Sequence, residues 1–406
     1  MSDEDLRELE RRAAVDAASA LRFARALARS GDEPRAANEL ARIVDANPTE
    51  QDALVELDRI TRGGVDPASP WPGGRGDGRR SARSRAEGPR RGGQVQRAII
   101  DVSRARRGIA VDALGRVLVV AEAPGEPGTV LVAASADGSI EKLGPTGADA
   151  PLRLAGFDLI HQTSGREKGV FLHAMGAGIA TVRGPWIAGL GHVVFAKTVT
   201  SIEARQLPTR NAPLRWQRAL PRRTACMALG PGAVVLVLSS SGLGARGTFH
   251  RFELGTGHAL PAMSLERLGT VDGEIVAAED GTVYLGLGGS TLALDAEGQP
   301  LWRHERSGTP VALAGEGADI LVVSDHDTLA PRALDARTGV MLWESRDACL
   351  NARPKVDATG RIFWRREQEL IAFAPRTGEI VYQALVGAGI WDFAFDGRGH
   401  ALALRY

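Results

Sequence analysis

The string TLALDAEGQPLW at 291–302 returns one period later as RALDARTGVMLW at 332–343, and again in altered form as IAFAPRTGEIVY at 371–382. The closing aromatics Trp302, Trp343 and Tyr382 lie 41 and then 39 positions apart (343−302 and 382−343). Self-similarity at a fixed period of this size restricts a chain to stacked or radial arrays, because one such unit cannot bury its own apolar face. A second marker recurs in each period, an Asp/Gly turn followed by an alternating strand: AVDALGRVLVV from 110, AAEDGTVYLG from 277, VDATGRIFW from 356 and FDGRGHALAL from 395. Gly and Asp tolerate the positive φ of tight hairpins, so each period reads as an up-and-down sheet of about four short strands. No stretch here has the sustained helical period that alternating β and α units require. Small residues at Ala277, Ala278, Ala312, Ala314 and Ala394 suit inner strands crowded near an axis.

Residues 95–406 span 312 positions, eight periods of 39, which predicts an eight-bladed β-propeller, with seven blades the alternative. The periods are least regular around 150–222. The last one stops after two strands at Tyr406. Val95–Val102, with its strand-like Ala98-Ile-Ile100, is expected to supply the missing edge and close the ring.

Two other segments precede the ring. Over 1–62 the chain reads as α-helical: no Gly or Pro interrupts Asp3–Ser30, Gly31-Asp32 ends that helix, and a second runs from Pro34 to Pro48 with Ala36, Leu40 and Ile43 on one face. Thr49–Arg62 reads as a further helix. Residues 63–94 are rich in Gly, Pro and Arg and nearly free of apolar side chains, so a disordered linker is expected there. Its arginines raise the possibility of single-stranded nucleic acid. Trp71 alone offers a stacking platform, and a plain linker is the better reading.

The helical segment resembles one tetratricopeptide (TPR) repeat, carried by Ala20, Phe23, Ala24, Leu27, Gly31, Ala36, Leu40 and Pro48, and departing from it at Ala20 and Ile43. The resemblance implies that Arg22, Arg25 and Arg29, which share one helical stripe, face a peptide groove suited to an acidic partner. The alternative is a solvated basic face answering the nearby acidic residues. The ring resembles the quinoprotein-type (PQQ-like) repeat, best in LDARTGVMLW at 334–343 and next in 294–302. That resemblance implies structural roles for Asp295, Gly298, Trp302, Asp335, Gly339, Trp343, Gly378 and Tyr382, with the aromatics packed between blades.

Chemistry is harder to find. The only cysteines, Cys226 and Cys349, are 123 positions apart, which excludes the vicinal pair that the quinone-dependent dehydrogenases of that family carry. It also leaves no thiolate metal site, and both cysteines are expected on inner strands. GLGARG at 242–247 matches a dinucleotide fingerprint, but the following Thr248–Leu254 reads as a strand where a helix would be needed. Asp325, His326 and Asp327 are consecutive and cannot converge on one ion. No nucleophile elbow and no HExxH motif occurs. Net charge is +1, the acidic start lacks the features of a secretory signal, and no apolar run is long enough to cross a bilayer. These observations predict a cytoplasmic protein without bound cofactor. The dominance of Arg over Lys, with abundant Ala and Gly, suggests a bacterial source. The expected function is a non-catalytic scaffold or adaptor for protein partners. A small-ligand or carbohydrate-binding propeller using its central channel stands second, and a hydrolase or lyase built on loop residues third.

Overall fold

The computed structural model describes residues 3–61 other than 15 and 48, residues 82–90, and, within 109–405, the strands and most of the turns between them; for the strands from 153 to 197 it describes backbone alone. Four helices come first: α1 (Asp3–Ala13), α2 (Ala17–Arg29), α3 (Glu33–Ala46) and α4 (Gln51–Thr61). The single helix expected over Asp3–Ser30 is two. Asp16 adopts an extended backbone and accepts the Ser19 amide at 2.8 Å, so it starts α2 as an N-cap. The Asp32 side chain accepts the Arg35 amide at 3.3 Å and so caps α3, ahead of Pro34 in the first turn. Phe23, Leu27, Leu40, Val44, Leu54 and Leu57 form the buried seam of the bundle.

After the helices the described chain is strand and turn. Seven four-stranded antiparallel sheets follow in sequence, each a meander with consecutive strands adjacent, and a two-stranded sheet closes the series. They cover 109–146, 153–182, 186–219, 223–264, 271–304, 309–344, 355–385 and 390–405, numbered here one to eight. Neighbouring sheets meet mainly through their first strands, and the first strand of sheet one also meets that of sheet eight. First strands therefore line an axis and fourth strands form the rim. Ala277, Ala312, Ala314 and Ala394 are buried on those inner strands, and Ala278 is buried just past the end of one. The segment proposed to complete the last period, 95–102, lies outside the described residues.

The repeated aromatics explain how sheets adhere. The Trp302 indole N–H donates to the Ala336 carbonyl at 3.1 Å, and Trp343 donates to Pro375 at 2.8 Å. Trp216 does the same to Leu254 at 2.9 Å. In each case a fourth-strand tryptophan reaches the turn between strands three and four of the next sheet. Each acceptor is one residue past the residue that opens the turn. The same three turns end in glycine, at Gly339, Gly378 and Gly257, each at a φ near +70° with the neighbouring indole against it. A β-carbon on any of them would lie 2.6–2.7 Å from that indole. The motif is thus one joint: a glycine that admits the ring and a carbonyl that takes its N–H. Tyr382 packs at 5.7 Å between ring centroids on Phe363 of its own sheet, in an apolar cluster that also takes in Phe393 and Phe395 of sheet eight. Between sheets four and five no tryptophan is present in strand four. There Arg251, from strand three, bonds the Ala296 carbonyl of the Asp295–Gly298 turn.

The disordered linker does not hold for residues 82–90, which pack along the inner edge of sheet seven. Ser84 donates to Val356 at 2.7 Å, Val356 to Ala82 at 2.8 Å and Ala358 to Ala86 at 2.9 Å, a short parallel pairing. The linker composition misled because this strap needs little apolar surface of its own. Its small side chains, Ala82 and Ala86, enter cores that the ring already provides. The remainder of 63–94, Trp71 included, lies outside the described residues.

The helices also contact the ring. One apolar cluster joins their seam to Trp216, Leu229, Val235 and Phe252, and the Gln51 side chain approaches the Gly232 carbonyl at 3.5 Å. Arg85 of the strap joins both parts, pairing with Glu33 at 2.9 Å and donating to the Ile60 carbonyl. Packing on the ring is how this short module covers a face that a single helical repeat leaves open.

Candidate interaction face

Turns between first and second strands, and between third and fourth, emerge on the same side of an antiparallel meander. On sheets five and six these turns enclose a groove of about 440 Å³. Ala278–Asp280 and Thr282 of sheet five and Glu316–Asp319 of sheet six line it, together with Tyr284, Leu301, Ala336, Arg83 and Arg337. Four carboxylates, Glu279, Asp280, Glu316 and Asp319, thus face two guanidinium groups, and the groove is net acidic. Asp319 is also paired with Arg376 of sheet seven. Tyr284 donates to Ala336 at 3.0 Å, and burial, with Asp280 adding repulsion, pushes its hydroxyl far above the usual phenol value. It is therefore a fixed neutral donor rather than an acid–base group. Arg59 near the end of α4 has its charge stabilised foremost by the Glu56 hydrogen bond, with Glu33 and Glu279 adding attraction.

The arginines expected to hold a partner lie on α2 as the stripe predicts. Arg22 and Arg29 are exposed. Arg25 is half-buried and pairs with Asp52 of α4 at 3.2 Å, so part of its charge is already answered. The residues of the aromatic joint are brought together as described above, and sequence spacing missed Trp216 and Arg251 as members of it. The copy ending at Trp216 reads QLPTRNAPLRW at 206–216, without the Leu-Asp-Ala and Thr-Gly of the better copies, which concealed the first. The second comes from a different strand, so no spacing signals it.

Other candidates resolve into structure. Cys226 is fully buried on the first strand of sheet four; Cys349 lies outside the described residues. Strand Gly247–Glu253 directly follows the glycine-rich loop and pairs antiparallel with Val234–Ser240, so the loop joins a hairpin; residues 242–246 themselves are outside the description. Asp325 pairs with Arg332 at 2.7 Å, and 326–327 are outside. One pair escaped the sequence reading: Ser239 and His250 Nε2 lie 2.8 Å apart, both buried, and burial lowers the imidazole pKa. Among the described residues no group of three His, Cys, Asp or Glu is placed to hold a metal ion, and no helix is long and apolar enough to cross a membrane.

No family model and no curated protein matches the sequence. Solved structures do resemble it. Dihydro-heme d1 dehydrogenase NirN in complex with DHE superposes with a TM-score of 0.54 at 11% identity, over 69% of this chain and 66% of that one. BamB from Moraxella catarrhalis gives 0.49 at 14% identity over 68% and 88%. The β-propeller domain of Myceliophteria thermophila Cps50 (Swd1) gives 0.43 at 8% over 69% and 94%. At these identities the likeness concerns fold alone, and with the radial meanders described above the chain is a mostly β protein of β-propeller type.

Proposed function

We propose that this protein is a non-catalytic scaffold that presents one propeller face and a helical arm to protein partners. The observation that carries the reading is the composite surface. The arm is docked on the ring through a shared core and Arg85, while Arg22 and Arg29 stay exposed on α2 and an acidic groove opens among the turns of sheets five and six. Two patches of opposite charge on a rigid frame suit recognition of a protein carrying a complementary pair. In finer terms the ring is an eight-bladed propeller of PQQ-like repeats, the arm a TPR-like module spanning 1–62, and the setting the cytoplasm of a bacterium. Ligand binding in the central channel is the second reading; the strap along the inner edge of sheet seven takes up space that such a ligand would use.

The test is affinity capture with the full chain and with the Arg22→Glu/Arg25→Glu/Arg29→Glu chain, both checked for the same melting temperature. A protein retained by the first and lost from the second supports the arm as a recruiting surface. Identical captured sets would remove it.

A further inference from the structure

We propose that the inner edge of sheet seven is a peptide-binding track for which residues 82–90 are a built-in, exchangeable ligand. The track's natural partner is an extended segment of the same pattern on another protein: arginine, one small residue, arginine, then glycine three residues on.

The contacts are those of strand addition rather than core packing. The backbone of Val356 both donates and accepts, Ala358 donates to Ala86, and Gly88 donates to the Asp357 carboxylate at 3.0 Å. Arg361 then closes over the segment, donating to the carbonyls of Gly88 at 2.9 Å and Pro89 at 3.0 Å. Main-chain bonds of this kind give affinity without regard to sequence, and side-chain sites supply the selection. Three such sites are visible. Arg83 spans the Gly315 and Glu316 carbonyls at 2.7 and 3.1 Å, and Arg85 reaches across to Glu33 and Ile60 of the arm. Gly88 lies against aromatic rings so closely that a β-carbon would stand 2.6 Å from Phe363 and 3.0 Å from Phe395. Only glycine passes there.

The track is preformed by the ring. Asp357 is fully buried and accepts from Thr359 and Arg361 as well as from Gly88, while Gly315 of sheet six bonds the Gly360 carbonyl beside it. The strap, in contrast, enters with Ala82 at a φ of +58°, a left-handed conformation unfavourable to alanine. It commits only two small apolar side chains. Such a segment stays docked largely because its tether holds it at high effective concentration, and an untethered equivalent competes once the tethered copy is displaced. Displacement would also cut the Arg85 link between ring and arm.

The test uses the full-length protein and a labelled peptide of residues 80–92, followed by fluorescence anisotropy. In the Gly88→Val chain the strap cannot seat, and the peptide is expected to bind saturably. Wild type is expected to bind it at least about tenfold more weakly, as it must if the strap fills the track nine-tenths of the time. A peptide carrying Gly88→Val should bind neither chain. Equal affinity for both chains, or no binding to a Gly88→Val chain that melts like wild type, overturns the proposal. Should that variant fail to fold, Arg83→Glu/Arg85→Glu in the full chain replaces it, with the same two outcomes deciding. The titration reads the track alone, so its result is separable from whether the arm recruits a protein.

Discussion

Replacing Gly339 with alanine tests the aromatic joint at its tightest point. Gly339 has a φ of +73°, and an added β-carbon would sit 2.6 Å from the Trp302 ring. The left-handed conformation alone costs an alanine about 1–2 kcal/mol. Displacing the indole adds the loss of its bond to Ala336, about 1 kcal/mol, together with some packing, for a total of roughly 3 kcal/mol. Gly399 supplies the control, since its φ is +83° and nothing lies within 4 Å of a β-carbon there, so Gly399→Ala should cost only the conformational part. Urea denaturation followed by fluorescence and circular dichroism measures both. The decisive step is the double mutant. In a Trp302→Ala background the indole is gone, and Gly339→Ala should fall to about the Gly399→Ala cost of 1–2 kcal/mol, a non-additivity of roughly 1–2 kcal/mol. Additive effects at 302 and 339, or equal costs at 339 and 399 in the wild-type background, would refute the joint as described.

Two further expectations follow from buried polar groups. Burial lowers the His250 pKa below its unfolded value near 6.5, so between those two values the unfolded chain binds the extra proton and stability falls as the pH drops; above 6.5 the contribution is intact. Thermal melts from pH 7.5 to 4.5 should show a steeper acid-side loss for wild type than for His250→Gln, and parallel curves would exclude the imidazole as a source. Asp357→Ala removes the acceptor shared by the 357–361 turn and the strap, leaves Arg361 without its buried partner, and should cost about 3–5 kcal/mol. Hydrogen exchange should then show the Ser84 and Gly88 amides losing protection before those of sheet five, and continued protection of 82–90 would mean that other contacts hold it.

The ring was legible in the sequence because its joints use residues with few substitutes. Trp302 and Trp343, with the glycines that receive them, mark period and strand order together. Legibility failed where a joint changed chemistry while keeping geometry. Arg251 meets the Ala296 carbonyl from a neighbouring strand, so no periodic pattern announces it, and the copy that ends at Trp216 reads QLPTRNAPLRW, without the Leu-Asp-Ala and Thr-Gly of the better copies. The strap failed for a different reason. A low apolar count argues for disorder only when a segment must bury its own surface, and 82–90 is held by backbone bonds to Val356 and Ala358 and by Arg361. The groove draws its acids from separate turns at 279–280 and 316–319, each an ordinary turn sequence until the fold sets them side by side.

The direction of the aromatic joint has a bearing on how the ring is made. Each tryptophan reaches forward, to a carbonyl and a glycine that the ribosome delivers some 30–40 residues later: Trp216 to Leu254 and Gly257, Trp302 to Ala336 and Gly339, Trp343 to Pro375 and Gly378. A newly emerged sheet therefore carries an indole with an uncovered face and an unmet N–H until its successor appears. At about 5–20 residues per second that interval lasts roughly 2–8 seconds per sheet. At these three sheets the nascent chain thus trails one sticky, unfinished rim at a time. Pauses in translation just after 216, 302 or 343 would prolong it, making codon choice in those windows a determinant of yield.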